Sequence, residues 1–297
     1  MMSEEVGDGR FTPSDTGQVR YEHLHRYTLA RSFAAGQVVL DLASGEGYGS
    51  AMLADVARAV VGVDISPVAV AHATSTYSAH RNLKFVTGSC VAVPLANGLC
   101  DMVVSFETLE HHTQHDQMMR EIKRVLKPHG VLFLSTPNRP IFDQQFAIPK
   151  ELHPQELDYT ELKNLLQRHF RCVRFLGQRV FASSYVVPLQ ASADPVPVSY
   201  IWQNGLAVES PPCVASPMYH LALRTDVESS LPSLPFSMFT DTEDDLVQTL
   251  ARQLSETQSA LEKLDRYIRW MHRLKFWRAA VFYWEILARA RQWLFLR

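Results

Sequence analysis

Through the first 225 residues short apolar runs alternate with amphipathic stretches. Runs at 37–42, 59–64, 83–87, 101–106 and 130–136 predict buried strands. Stretches of helical period at 49–56, 67–79 and 114–126 fall between them, the pattern of a parallel sheet covered by helices on both faces. A helix is expected at 19–34, capping the loop after the first strand, and another in TELKNLLQRHF at 160–170; apolar runs at 171–177 and 218–225 supply the last strands. Residues 1–18 lack any such pattern and are expected to be disordered.

Between 188 and 217 prolines are frequent and periodicity is lost, which predicts a long insertion over the substrate side. Pro232 and Pro235 mark a linker, taken as 226–245. Beyond it the period changes. Val247, Leu250, Leu254, Thr257, Leu261, Leu264, Ile268 and Met271 recur at alternating steps of three and four, predicting a coiled coil at the start of a helical, basic aromatic tail over 246–297; the seam implies a homo-oligomer or an internal helix pair, and the alternative is one amphipathic helix docked on the preceding domain. Trp270, Trp277 and Trp284 stand one heptad apart, and from Arg266 onward eight Lys or Arg face one acid. That composition suits either an interfacial helix on an anionic membrane or further oligomer packing.

At 297 residues, 46% hydrophobic and 20% charged, the chain can bury a substantial core, and a net charge of −2 argues against general nucleic-acid binding. Cys90, Cys100, Cys172 and Cys213 form no C-x-x-C pair and read as reduced thiols of a cytoplasmic protein. The acidic start MMSEEVGDGR lacks the pattern of a secretory signal, and no run is long enough to span a membrane. The expected location is the cytoplasm, with the inner membrane face as the site of any tail contact.

The candidate chemistry begins where the first strand ends. VVLDLASGEGYGS places Asp41 in the strand and Gly45, Gly47 and Gly49 behind it, a G-x-G-x-G loop that lets backbone approach a small charged cofactor. The spacing is not the G-x-G-x-x-G of a dinucleotide fold. Asp64 closes the second strand, where an acid grips ribose hydroxyls. After the fourth strand comes FETLEHH. A helix starting there would put Glu107, Glu110 and His111 on one face, clustering two carboxylates with an imidazole.

The loop, GVDIS at 62–66, VVSFETLEH at 103–111 and RVLKPHGVLFLSTPN at 124–138, in that order, closely resemble the class I S-adenosylmethionine-dependent methyltransferases. YEHLHRY at 21–27, SGEGYGS at 44–50 and GQRVFASSYVVPL at 177–189 resemble more narrowly the bacterial methyltransferases of O-antigen and other surface glycans. The resemblance implies a Rossmann-like α/β fold over 36–225, behind an N-terminal segment and capping helix at 1–35. Its mostly parallel seven-stranded sheet would carry helices on both faces and end in an antiparallel hairpin.

For the cofactor, the resemblance implies Asp41 as organiser of the loop, Gly45 and Gly47 for close backbone approach, Asp64 for the ribose and Ile65 against adenine. Ser89 and Cys90 stand where many relatives carry an aspartate, so backbone groups around Cys90 would meet the adenine. Phe106 would line the methionine side. Arg26 would meet the methionine carboxylate with its planar fork, or else is a helix-surface arginine.

The E-x-x-E-H pattern also resembles metal-assisted methyltransferases, in which Glu107, Glu110, His111 and His153 would hold Mg²⁺ or Mn²⁺. Without metal, His111 is the expected general base, its unperturbed pKa of ~6.5 suiting it to accept a proton near neutrality, with His153 in reserve. The expected reaction is O-methylation of a sugar hydroxyl on a glycan or its precursor. A quinone-type small-molecule O-methyltransferase and a cofactor-binding scaffold of a glycan-assembly complex are the alternatives.

Overall fold

A computed structural model describes residues 17–145, 154–181, 199–203, 206–210, 214, 216–232, 237–239, 245–273 and 283–284. Two units are separable, Met1–Thr240 and Asp241–Arg297.

Among the described residues the first unit has nine strands: β1 (Val38–Leu42), β2 (Ala59–Asp64), β3 (Leu83–Thr87), β4 (Cys100–Phe106), β5 (Leu126–Pro137), β6 (Cys172–Gln178), β7 (Ser199–Gln203), β8 (Leu206–Ser210) and β9 (Tyr219–Thr225). Its helices are α1 (Gln18–Ala34), α2 (Tyr48–Ala54), α3 (Pro67–Thr76), α4 (His115–Val125), α5 (Arg139–Gln145) and α6 (Tyr159–His169). Seven strands form one sheet in the order β3-β2-β1-β4-β5-β9-β6, while β7 and β8 pair separately as a hairpin inside the proline-rich segment. The first five strands of that sheet run parallel, and β9 lies antiparallel between β5 and β6. The chain reverses strand order on either side of β1 and β4, and such a crevice at the carboxyl ends of strands is where ligands of open α/β sheets bind.

Alternation along each strand divides the core in two. Leu40, Leu42, Val103, Leu132 and Leu134 pack with Met118, Met119 and Ile122 of α4 and Leu162, Leu165 and Leu166 of α6. Their neighbours Val39, Met102, Val104 and Phe133 pack with Tyr27, Ala30 and Ala34 of α1 and Leu53 of α2. Two helices carry legible start signals. Ser66 caps α3 by accepting from the Ala69 amide, with Pro67 in the first turn. Asp158 and Glu161 form a reciprocal capping box on α6.

One strand departs from its expected start. β5 begins at Leu126 rather than 130, because Leu126 pairs with Cys100 and the register then jumps so that Met102 pairs with Val131. The Lys-Pro-His-Gly segment is thus an irregularity within the strand.

Beyond β9 the segment expected as linker returns to this unit. Arg174 donates to the Pro232 carbonyl at 2.7 Å, and Phe239 stacks on His25 with ring centroids 5.7 Å apart. The second unit is described through one long helix, α7 (Asp245–Arg273). Residues 1–16, most of the proline-rich insertion, Cys213 and Trp277 lie outside the described residues.

Candidate active site

The glycine loop turns between β1 and α2 through residues of positive φ: Ala43 at 65°, Gly45 at 53° and Gly47 at 87°. Each glycine serves differently. A Cβ on Gly47 would lie 2.5 Å from the Phe85 ring and 2.8 Å from the Ala73 Cβ, so packing as well as backbone requires glycine there. A Cβ on Gly45 would meet nothing within 4 Å, because that peptide borders open space at the carboxyl end of β1. Ala43 is an L residue held in the left-handed region, which costs about 1–2 kcal/mol.

The expected organiser of this loop is Asp41, and the structure gives that task to Asp64. Asp64 Oδ2 accepts from the Gly45 amide at 2.9 Å, and Oδ1 from the Ser66 amide at 2.9 Å. The reason is alternation: Asp41 points to the α1 face, where it accepts from the Ser50 hydroxyl at 2.6 Å and the Tyr27 hydroxyl at 3.1 Å. It thereby ties α1 to α2 beneath the loop. Burial pushes the Asp41 carboxyl up to about 6, against the opposing pull of those two hydroxyls.

Along the adenine side, Ile65 is 68% exposed directly after Asp64, an apolar surface left uncovered beside an acid. Ser89 accepts from the Val91 amide at 3.3 Å, and a short bridge pairs Ser89 with Ala92. Cys90 is half-buried against the core below. Phe106 does not line the crevice. It is buried edge-to-face between Tyr27 and Phe133, with centroids 5.0 and 5.2 Å away, and so supports the floor.

Arg26 is no surface arginine; it is wholly buried at the centre of a polar network. Its Nη1 pairs with Glu107 Oε1 at 2.6 Å and donates to Ser135 Oγ at 3.1 Å, its Nε donates to Gln178 Oε1 at 2.8 Å, and its guanidinium stacks 4.3 Å from the Tyr219 ring centroid. The Ser135 hydroxyl in turn donates to Glu107 at 2.6 Å. Burial opposes the Arg26 charge, yet Glu107, Tyr219 and Glu22 together hold its pKa above the ordinary value. Glu22, one turn earlier on α1, is raised by burial. Glu22, Ser135, Gln178 and Tyr219 are the residues that sequence reasoning missed. The one signal available was the spacing of Glu22 and Arg26, four apart on the face of α1 that also carries Tyr27 and Ala30.

The expected cluster of Glu107, Glu110 and His111 is not assembled. Glu107 has φ 50° and stands outside any helix, and only a single turn of 3₁₀ helix, Leu109–His111, follows. Glu107 bonds Ser135 on the α1 face of β5, whereas Glu110 accepts from Thr136, the next residue, at 3.3 Å. Successive residues of a strand point to opposite faces, so the two carboxylates are split across the sheet edge. Glu110 is buried, and burial together with the Glu107 charge raises its pKa well above the carboxylate range. His111 is exposed. Among the described residues no three His, Cys, Asp or Glu side chains converge as a metal site, so the ligand set of Glu107, Glu110 and His111 with Mg²⁺ or Mn²⁺ is corrected on geometry. His153, the fourth expected ligand and reserve base, lies outside the described residues.

What remains fits S-adenosylmethionine. The open space at Gly45, the Asp64 carboxylate beside it and exposed Ile65 supply backbone, ribose and adenine surfaces in sequence along the crevice. Two buried polar atoms at the same end, Arg26 Nη2 and Ser44 Oγ, have no hydrogen-bond partner among the described residues. Buried donors are seldom left so, and the methionine carboxylate is the group Arg26 would take.

A family model described as a methyltransferase domain matches residues 40–134. A Mycolicibacterium smegmatis protein described as a probable S-adenosylmethionine-dependent methyltransferase is 39% identical over 45% of this chain and 51% of its own length. The chain thus spans about half the length of the curated relative it matches there. A ubiquinone/menaquinone biosynthesis C-methyltransferase of Rubrivivax gelatinosus is 33% identical over 53% of this chain and 64% of its own. An uncharacterized methyltransferase of Synechocystis is 31% identical over 60% of this chain and 85% of its own. With the 3-2-1-4-5 parallel order, the inserted antiparallel strand and the glycine loop before an acid-ended second strand, the chain belongs to the class I S-adenosylmethionine-dependent methyltransferase family.

Proposed function

We propose that the protein is an active O-methyltransferase that modifies a sugar hydroxyl of a surface glycan or its precursor, with His111 as general base. The supporting observation is the sorting of the FETLEHH segment. Glu107 is engaged by Arg26 and Ser135, Glu110 is buried, and His111 is the exposed titratable group beside the carboxyl end of β4. The neighbouring His112 is half-buried, its pKa pushed down to about 4 by burial and by the adjacent histidines, and His115 is buried with its Nε2 against the Leu109 carbonyl at 2.9 Å. Bound at the crevice, S-adenosylmethionine would supply an electrophilic methyl group. The chain's own part is to orient the acceptor, exclude water and accept the acceptor's proton. The glycan assignment rests on the resemblance of the 21–27, 44–50 and 177–189 segments.

A second reading is favoured by the Rubrivivax relative, namely methylation of a quinone-type ring, for which the same base would serve.

His111→Ala is expected to lower turnover by about 10² to 10⁴, the usual contribution of a positioned base, while S-adenosylhomocysteine affinity stays within about threefold. Mass spectrometry for a methylated product, across sugars and quinone precursors with labelled cofactor, separates the two readings. Full turnover in the variant would remove the base assignment, and a product formed only on the quinone precursor would remove the sugar.

A further inference from the structure

We infer that α7 pairs with the same helix of a second copy of this chain as a parallel, in-register, two-stranded coiled coil. The helix is continuous from Asp245 to Arg273, about 43 Å long at 1.5 Å per residue. A helix in a protein draws most of its stability from packing its apolar face, yet Val247, Leu250, Leu254, Leu261 and Leu264 of α7 are each more than half exposed. Their spacing is the 3.5-residue repeat of a coiled-coil seam, sustained through about four heptads, rather than the broader stripe of a helix docked on a globular core.

The seam is self-complementary. Val247, Leu254, Leu261 and Ile268 occupy the first core position of each heptad, and Leu250, Thr257, Leu264 and Met271 the second. The outer first positions, Val247 and Ile268, are β-branched, and Leu holds second positions 250 and 264, the combination that favours two parallel strands. Thr257 is the polar member, and its hydroxyl donates to the Gln253 carbonyl of its own helix at 2.8 Å, so it enters the seam without an orphaned donor.

Charge is sorted to match. The positions flanking the seam carry Leu246, Ala251, Gln253, Gln258, Ala260, Tyr267 and His272, with Asp265 the one acid and already paired to Arg269 on its own helix. Arg252, Glu256, Glu262, Lys263 and Arg266 lie on the outer face. Two copies in register therefore bring no like charges together along the seam, the repulsion by which coiled coils reject wrong partners.

The test uses the full chain. Light scattering after gel filtration is expected to give twice the 33.7 kDa chain mass. Leu254→Glu with Leu261→Glu, which places two carboxylates at successive core positions, is expected to give the single-chain mass with S-adenosylhomocysteine affinity unchanged. Leu250→Cys is expected to oxidise to a covalent dimer that the unmodified chain does not form, since in-register second positions face their own copies at disulfide distance. A wild-type monomer, a dimer indifferent to the double substitution, or a dimer in which Leu250→Cys stays reduced because the helices run antiparallel would each overturn the inference.

Discussion

Asp64→Ala is expected to weaken S-adenosylhomocysteine binding by about 100-fold while the chain stays folded. Hydrogen bonds to a charged group contribute about 1.5–3 kcal/mol each, and a tenfold change in affinity is about 1.4 kcal/mol. The side chain has two tasks. It holds the Gly45 and Ser66 amides at 2.9 Å, fixing the backbone on both sides of the crevice, and it would accept from the ribose hydroxyls. Asp64→Asn keeps the shape and one acceptor oxygen but sets an amide N–H against one of those backbone donors, so an intermediate loss is expected. Calorimetric titration of the three proteins gives the order. Equal affinities would mean that the ribose and loop assignments are both wrong.

Arg26→Met is expected to destabilise the fold by about 3–5 kcal/mol at neutral pH, the cost of leaving buried carboxylates without their cation. Glu107 at 2.6 Å loses its ion pair, and Glu22 and Glu110 lose the nearest positive charge. The pH dependence has a definite sign. Burial already raises the Glu22 and Glu110 carboxyls, and without the Arg26 charge their folded-state pKa values rise further above the ordinary ~4.3, so the native state binds more protons than the unfolded chain and stability falls as pH rises through that window. Urea denaturation should therefore show the deficit shrinking as pH is lowered toward about 4.5. Adding Glu107→Gln to Arg26→Met should recover part of the loss, because it removes the carboxylate that Arg26 pairs directly. A single variant as stable as the wild type at pH 7, or a deficit independent of pH, would contradict the network described.

Local and non-local information explain which features could be read from the chain alone. The strands at 59–64 and 83–87 coincide with β2 and β3, because apolar β-branched runs bounded by turns are written within a few residues. The helix ends at Ser66 and Asp158 are likewise local, set by caps. The irregular start of β5 is not, since it depends on pairing with β4. Arg26 is the clearest case. Its partners Ser135 and Gln178 lie 109 and 152 residues away, and spacing along a helix does not announce them. The i, i+3, i+4 geometry assumed for Glu107, Glu110 and His111 fails because Glu107 adopts a left-handed backbone conformation before a single 3₁₀ turn, a local irregularity that breaks the periodic rule at the edge of the crevice. Departures of this kind gather at functional sites, and both non-glycine residues of positive φ among those described, Ala43 and Glu107, follow strands that border it.

S-adenosylmethionine is expected to bind in the crevice between Gly45, Asp64 and Arg26. Calorimetric titration of the full chain with S-adenosylhomocysteine tests it most directly: one molecule bound per chain, undisturbed by an excess of NAD, is expected, whereas no binding, or its displacement by NAD, would contradict it.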